Sequence, residues 1–131
     1  AFKYEQSKLT TIQTVNTYPP DFKGRIWAGD IHLSPDGKFL YGSNRDDLND
    51  IIIFSVNKET GKLTYVGRQS TGGKTPRNFA ITPDGKFLLA AHQSSDDITI
   101  FKRDQQTGLL IPTSQFIHVP HAVCLKMIAM E

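Results

Sequence analysis

The sequence predicts an all-β chain built from four-stranded antiparallel blades, about 2.8 units of a β-propeller. Three observations carry this prediction. A heptapeptide recurs almost unchanged. The strings downstream of it recur at nearly the same distance. Each unit divides into four short apolar segments between turn signals.

Ser34-Pro35-Asp36-Gly37-Lys38-Phe39-Leu40 returns as Thr82-Pro83-Asp84-Gly85-Lys86-Phe87-Leu88, an offset of 82 − 34 = 48. Ile51-Ile52-Ile53-Phe54 returns as Ile98-Thr99-Ile100-Phe101, and Thr60-Gly61-Lys62-Leu63 as Thr107-Gly108-Leu109-Leu110, both at 47. Dividing 131 by 47 gives the 2.8 units, cut at both ends. In the first full unit strands are expected at 30–34, 38–44, 51–57 and 63–70. In the second they are expected at 78–82, 86–92, 98–103 and 109–115. These segments are rich in β-branched and aromatic residues. Pro-Asp-Gly makes the first turn of each unit, because Pro presets φ and Gly tolerates positive φ. Thr-Gly makes the third. Ile51 to Phe54 is apolar on both faces, as expected of a strand covered on both sides. The expected layout is a partial blade over 1–29, blades over 30–77 and 78–121, and a closing strand over 122–128.

Composition narrows the function classes. Fifteen Lys and Arg against 13 Asp and Glu leave a net charge of +2, too weak for nucleic acid or an anionic membrane as main partner. One cysteine, Cys124, permits no disulfide within the chain and is expected in the core. A ring closes with at least four blades, so the chain is expected to be part of a longer protein and to self-associate when isolated.

The stretch Asp30-Ile31-His32-Leu33-Ser34-Pro35-Asp36-Gly37-Lys38-Phe39-Leu40-Tyr41-Gly42-Ser43-Asn44-Arg45 closely resembles the lactonase family of seven-bladed β-propellers. So does Thr71-Gly72-Gly73-Lys74-Thr75-Pro76-Arg77-Asn78-Phe79-Ala80-Ile81. The resemblance covers nearly the whole chain and corresponds to the C-terminal third of such proteins. It implies hydrolysis of a sugar-type lactone such as 6-phosphogluconolactone. The alternatives are the lactonizing chemistry of the carboxymuconate enzymes, or a non-catalytic propeller that binds a ligand or protein. It implies no cofactor and no metal, a small lactone or an anionic carboxylate or phosphate as ligand, and the rest of the ring as the structural partner. The expected compartment is the cytoplasm, with a periplasmic or surface protein as the alternative.

Up-and-down topology sorts the loops. The short Pro-Asp-Gly and Thr-Gly turns share one face. The longer polar segments share the other: Ser43 to Asp46, His92 to Ser94, and Gly72 to Asn78. Arg45 and Arg77 are therefore candidates for gripping a phosphate or carboxylate, or an oxyanion. The structural reading of each is an arginine that ties loop carbonyls and staples blades. Lys74 is a further candidate anion ligand, against a solvated loop lysine. His32 is a candidate acid or base, and alternation puts Asp30 on its side of the strand, where a carboxylate orients an imidazole. The structural reading is a histidine satisfied between blades. Asn44, Asn78 and Gln93 are candidate ligand-orienting amides, or amides that tie loops together. Trp27 and the segment 18–22 are expected to wall the pocket. Gly73-Lys74-Thr75 lacks the earlier glycine of a P-loop. The acidic run 46–50 lacks the glycine and distal glutamate of an EF-hand. His118 and His121 lack partners for zinc.

Overall fold

A computed structural model describes residues 1–128. All of its regular structure is strand: a hairpin of β1 (Phe2–Glu5) and β2 (Lys8–Thr11), then eight longer strands. The eight are β3 (Ile26–Leu33), β4 (Phe39–Asp46), β5 (Asp50–Val56), β6 (Leu63–Ser70), β7 (Pro76–Ile81), β8 (Phe87–His92), β9 (Asp97–Arg103) and β10 (Leu110–His118). Strands β3 to β6 form one antiparallel meander and β7 to β10 a second. These are the two blades that the repeat predicts. Among the described residues there is no helix long and apolar enough to cross a membrane.

The Pro-Asp-Gly turns close as expected. Gly37 and Gly85 hold φ of 68° and 70°, and each donates to the carbonyl three residues earlier, Ser34 and Thr82. Three of the differences from the expected boundaries go with bulges. Strand β3 starts at Ile26 rather than at residue 30, because a bulge lets the chain continue pairing beyond Asp30: Ala28 faces Asn44, but Ile31 faces Gly42. Strand β7 repeats this, with Pro76 opposite His92 and Asn78 opposite Ala91. Strand β10 runs on to His118 past another bulge between Pro112 and Phe116, where Ser114 holds φ of 61°.

The expected closing strand over 122–128 forms no ladder in the structure. A propeller's innermost strand pairs only with the second strand of its own blade, as β7 does with β8. The described residues contain no such partner for 122–128. That segment instead packs on the outer face of the second blade, where Ala122 meets Ala91 and Ile98. Cys124 is exposed, not a core residue.

The main core is the seam between the blades. Phe39, Tyr41, Ile51 and Ile53 of the first blade pack on Phe79, Leu88, Ala90, Phe101 and Leu110 of the second. Alternation sends Ile52 and Phe54 to the first blade's opposite face, beside Ile31, Leu33 and Leu40, where they line a cleft of about 620 Å³. The turn-side end of the seam is closed by a buried guanidinium. Arg103 donates from Nε to the Tyr41 hydroxyl (2.8 Å), from Nη1 to Gly85 O (2.9 Å) and from Nη2 to Asp36 Oδ2 (3.1 Å). The Tyr41 hydroxyl donates to Gly108 O at 2.7 Å. Every hydrogen bond in this set except that of Gly85 crosses the seam.

Partial burial pushes the Asp36 carboxyl up. Hydrogen bonds from Ser34, the Lys38 amide and Arg103, with the Arg103 charge, outweigh it and hold the pKa down to about 2. Asp36 therefore contributes stability that is complete above its ordinary value of 3.8 and lost as pH falls through about 2. Acid melts should show this loss in the wild-type protein and a smaller one in Asp36→Asn. Arg103→Met should cost about 3 kcal/mol in denaturant unfolding, because it leaves Asp36 and Tyr41 without their buried partner. Ile31 and Leu33 are more than half exposed, as is Phe116. The 131-residue chain on its own should accordingly sediment as a concentration-dependent oligomer.

Candidate active site on the polar face

The inner strands β3 and β7 meet at the polar end of the seam, where they are held by side chains that the two bulges aim across it. Asp30 Oδ2 accepts from Asn78 Nδ2 at 2.5 Å and from the Phe79 amide at 3.4 Å. Asn78 repeats the pattern one unit on: its Oδ1 accepts from the Leu125 amide at 2.6 Å. Asp30 and Asn78, 48 residues apart, thus link three successive inner segments. Gly29 sits at the closest approach, where a Cβ would come within 2.7 Å of Pro76 O and 2.3 Å of the Ser43 hydroxyl.

The structure brings His32 to Asp30. Nε2 lies 2.8 Å from Asp30 Oδ2, and the ring meets Phe79 edge-on at 4.9 Å between centroids. The imidazole is almost half exposed, whereas Asp30 is partly buried. Burial pushes the Asp30 carboxyl up. The hydrogen bonds from His32 and the Ile31 amide, and the His32 charge, prevail and hold it below its ordinary value. The carboxylate is therefore ionised at neutral pH. A carboxylate on Nε2 leaves Nδ1 as the nitrogen free to take or give a proton.

Arg77 directly precedes Asn78 on β7. Its Nη1 donates to Gln93 Oε1 at 3.2 Å and the side chain is otherwise exposed. Gln93 thus orients Arg77 and is not itself a free ligand amide. The Gln93 carbonyl lies 3.2 Å from His121 Nδ1. The Lys74 ammonium has no partner among the described residues, although its backbone is held by Ser95 Oγ at 2.9 Å.

For two candidates the structure shows the structural alternative rather than the ligand-binding one. Asn44 is fully buried inside the first blade, where Nδ2 donates to Thr17 O and to Asp50 Oδ1, both at 2.8 Å. It binds protein and is out of reach of a ligand, which places it among the amides that tie loops together. Arg45 stacks on Trp27 at 4.6 Å and donates twice to Ala28 O, at 3.2 and 2.9 Å. Its guanidinium is engaged within its own blade rather than across two. Trp27, more than half exposed, presents a flat wall at this end of β3. His92, in the sequence only the start of a polar loop, is fully buried at the end of β8. Its signal was its position, since it stands 48 residues after Asn44.

Replacing His32 by Leu should raise the Asp30 pKa, because it removes the hydrogen bond and charge that oppose burial; carboxyl-detected NMR titration reads this directly.

Comparison with known proteins gives a consistent answer. Residues 1–127 match the family described as Lactonase, 7-bladed beta-propeller. A 6-phosphogluconolactonase of Formosa agariphila is 52% identical over 101 residues, 76% of this chain and 29% of the relative. The 6-phosphogluconolactonase of Bacillus subtilis is 37% identical over 117 residues, 89% of this chain and 33% of the relative. The solved periplasmic gluconolactonase of Pseudomonas aeruginosa superposes with a TM-score of 0.94 at 40% identity, over 98% of this chain and 36% of that one. The chain thus spans about a third of the length of the relatives it matches.

Proposed function

Because the chain belongs to the lactonase family of seven-bladed β-propellers, we propose that the full-length protein hydrolyses 6-phosphogluconolactone on the polar face of its ring. The observation that carries this reading is the Asp30-held imidazole of His32 on the inner strand β3, with an exposed Arg77 on the next inner strand β7 and an exposed Lys74 in the segment leading into it. Relatives named 6-phosphogluconolactonase support it.

In this reading His32 Nδ1 removes a proton from water as its oxygen attacks the lactone carbonyl. Asp30 stabilises the imidazolium that forms. The tetrahedral oxyanion collapses, the ring C–O bond breaks, and the imidazolium returns the proton to the leaving alkoxide. One water is consumed and one hydroxy acid released. Arg77 and Lys74 bind the substrate phosphate, a task suited to a guanidinium fork and a mobile ammonium. Arg45, held to Ala28 and Trp27, shapes the wall. This reading carries a cytoplasmic location with it, because a phosphorylated lactone does not cross a bilayer unaided.

Steady-state hydrolysis by the full-length protein tests the assignment. Arg77→Ala should lower kcat/KM for 6-phosphogluconolactone by about 10–100-fold, mostly through KM, as expected for a lost charge-assisted pair. For the unphosphorylated gluconolactone the same change should be small. Equal losses on both substrates would remove Arg77 from phosphate binding. No hydrolysis of either above background would remove the activity.

A further inference from the structure

The segment 71–75 carries Lys74 and leads into Arg77, and it lies on a buried histidine. His92, at the end of β8, is fully buried. Its Nδ1 lies 2.8 Å from Asp97 Oδ1, but neither ring nitrogen has a hydrogen-bond partner of good geometry among the described residues. A Cβ on Gly73 would come within 2.5 Å of the imidazole ring, so the covering backbone rests directly on it. The cover is pinned at its edges. Gln93 N donates to Thr75 O (3.0 Å), Ser94 N to Lys74 O (3.2 Å) and Lys74 N to Ser95 Oγ (2.9 Å).

The repeat shows what is unusual here. Forty-eight residues earlier Asn44 occupies the same position, and it donates to Asp50 Oδ1 at 2.8 Å as His92 faces Asp97. Asp50 has a second partner, the Arg68 guanidinium at 2.5 Å. The residue 47 positions after Arg68 is Gln115, and His92 is the one basic side chain within 4 Å of Asp97 among the described residues. One blade thus builds the pair with a group that cannot titrate, and the next builds it with one that can.

We propose that His92 is a positioning residue for the anion-binding segment 71–77, holding it down while neutral and releasing it when protonated. The role of that segment rests on the reading above; the holding and release do not. Burial pushes the His92 pKa below its ordinary value of 6.5, and the nearby Asp97 carboxylate only partly offsets this. Asp97 on β9 is the one carboxylate within 4 Å of the ring among the described residues. The surrounding elements also carry Lys74 on the cover, Arg77 on β7, Asp96 in the loop after β8, Lys102 and Arg103 on β9, and His121, whose Nδ1 lies 3.2 Å from Gln93 O and 3.6 Å from Asp96 Oδ1. Lifting the cover lets water reach the ring and a proton bind. The closed segment is therefore favoured above the ordinary histidine value and lost as pH falls through the depressed one.

The test is amide hydrogen exchange on the full-length protein and its His92→Asn variant, between about pH 7.5 and 5.5, corrected for intrinsic rates. Asparagine is chosen because the preceding blade already holds it at this position. In the wild-type protein the opening constant reported by Lys74, Thr75, Gln93 and Ser94 should rise on acidification, toward about tenfold per pH unit. In His92→Asn it should stay flat. The KM for 6-phosphogluconolactone should rise at acid pH more steeply in the wild-type protein than in the variant, with kcat moving little. The substrate phosphate titrates equally in both experiments and cancels. Gly73→Ala, which forces a methyl onto the ring, should expose the same amides at every pH. A flat wild-type profile, the same slope in His92→Asn, or unchanged exchange in Gly73→Ala overturns the inference. The expected exchange pattern without lactone hydrolysis leaves the positioning role standing and removes the activity assigned to the face.

Discussion

A single buried guanidinium sets the conditions for the rest of the described structure. Arg103 lies at the turn-side end of the seam, and its donors are taken up by Asp36, Tyr41 and the Gly85 carbonyl. A charge removed from water is tolerated only with its donors satisfied, and here two of its partners lie on the neighbouring blade. The blades therefore meet in one register. At the far end of the seam Asp30 and Asn78 meet in that same register, and between the two ends lies the apolar face of Tyr41, Ile51, Phe79 and Leu88. The His32 imidazole owes its orientation to this arrangement. Its carboxylate is on its own strand, but the Phe79 ring against which it rests and the amide that fixes Asp30 come from the next blade.

The repeat gives each blade the same positions and lets each fill them differently. Asp30 and Asn78 occupy one position, and both take an amide from the following inner segment. Only the acidic member has a histidine two residues on; the corresponding residue after Asn78 is Ala80. Asn44 and His92 occupy another position, both fully buried and both facing an aspartate. Scaffold and site thus use the same places in the fold. A change from amide to carboxylate, or from amide to imidazole, puts an ionisable group where the other unit has a neutral tie.

The two faces of the ring segment differ for a related reason. On the turn side, Pro-Asp-Gly closes each hairpin with its own Ser or Thr hydroxyl and aspartate, so little remains to meet a ligand. On the polar side the longer connections hydrogen-bond to one another, and Arg77, Lys74 and Trp27 are left at the surface. The near-neutral net charge of +2 matches this picture of a few placed cations rather than a basic surface.

Much of the architecture was legible in the chain because it is encoded locally. The recurrence of Pro-Asp-Gly-Lys-Phe-Leu, the strand alternation and the turn residues act over a few positions, and together they specified the blades, their order and which loops share a face. The pairing of Asp30 with His32 was legible for the same reason, as it follows from the period of two along one strand. What lay beyond the sequence was every decision made by a neighbour distant in the chain. Arg103 stands where the preceding unit has Val56, so no repeat announced it. The sequence left Asn44 open between a ligand amide and a buried tie, and Arg45 between an anion ligand and a structural arginine; the enclosing fold, and Trp27 and Ala28, decided both. The bulges at Asp30 and Asn78 aim those side chains across the seam, and 122–128 forms no strand without a partner to define one. Local periodicity determines which face of a strand a residue occupies, but burial and hydrogen bonding depend on the blade packed against that face, and only the tertiary structure brings the two together.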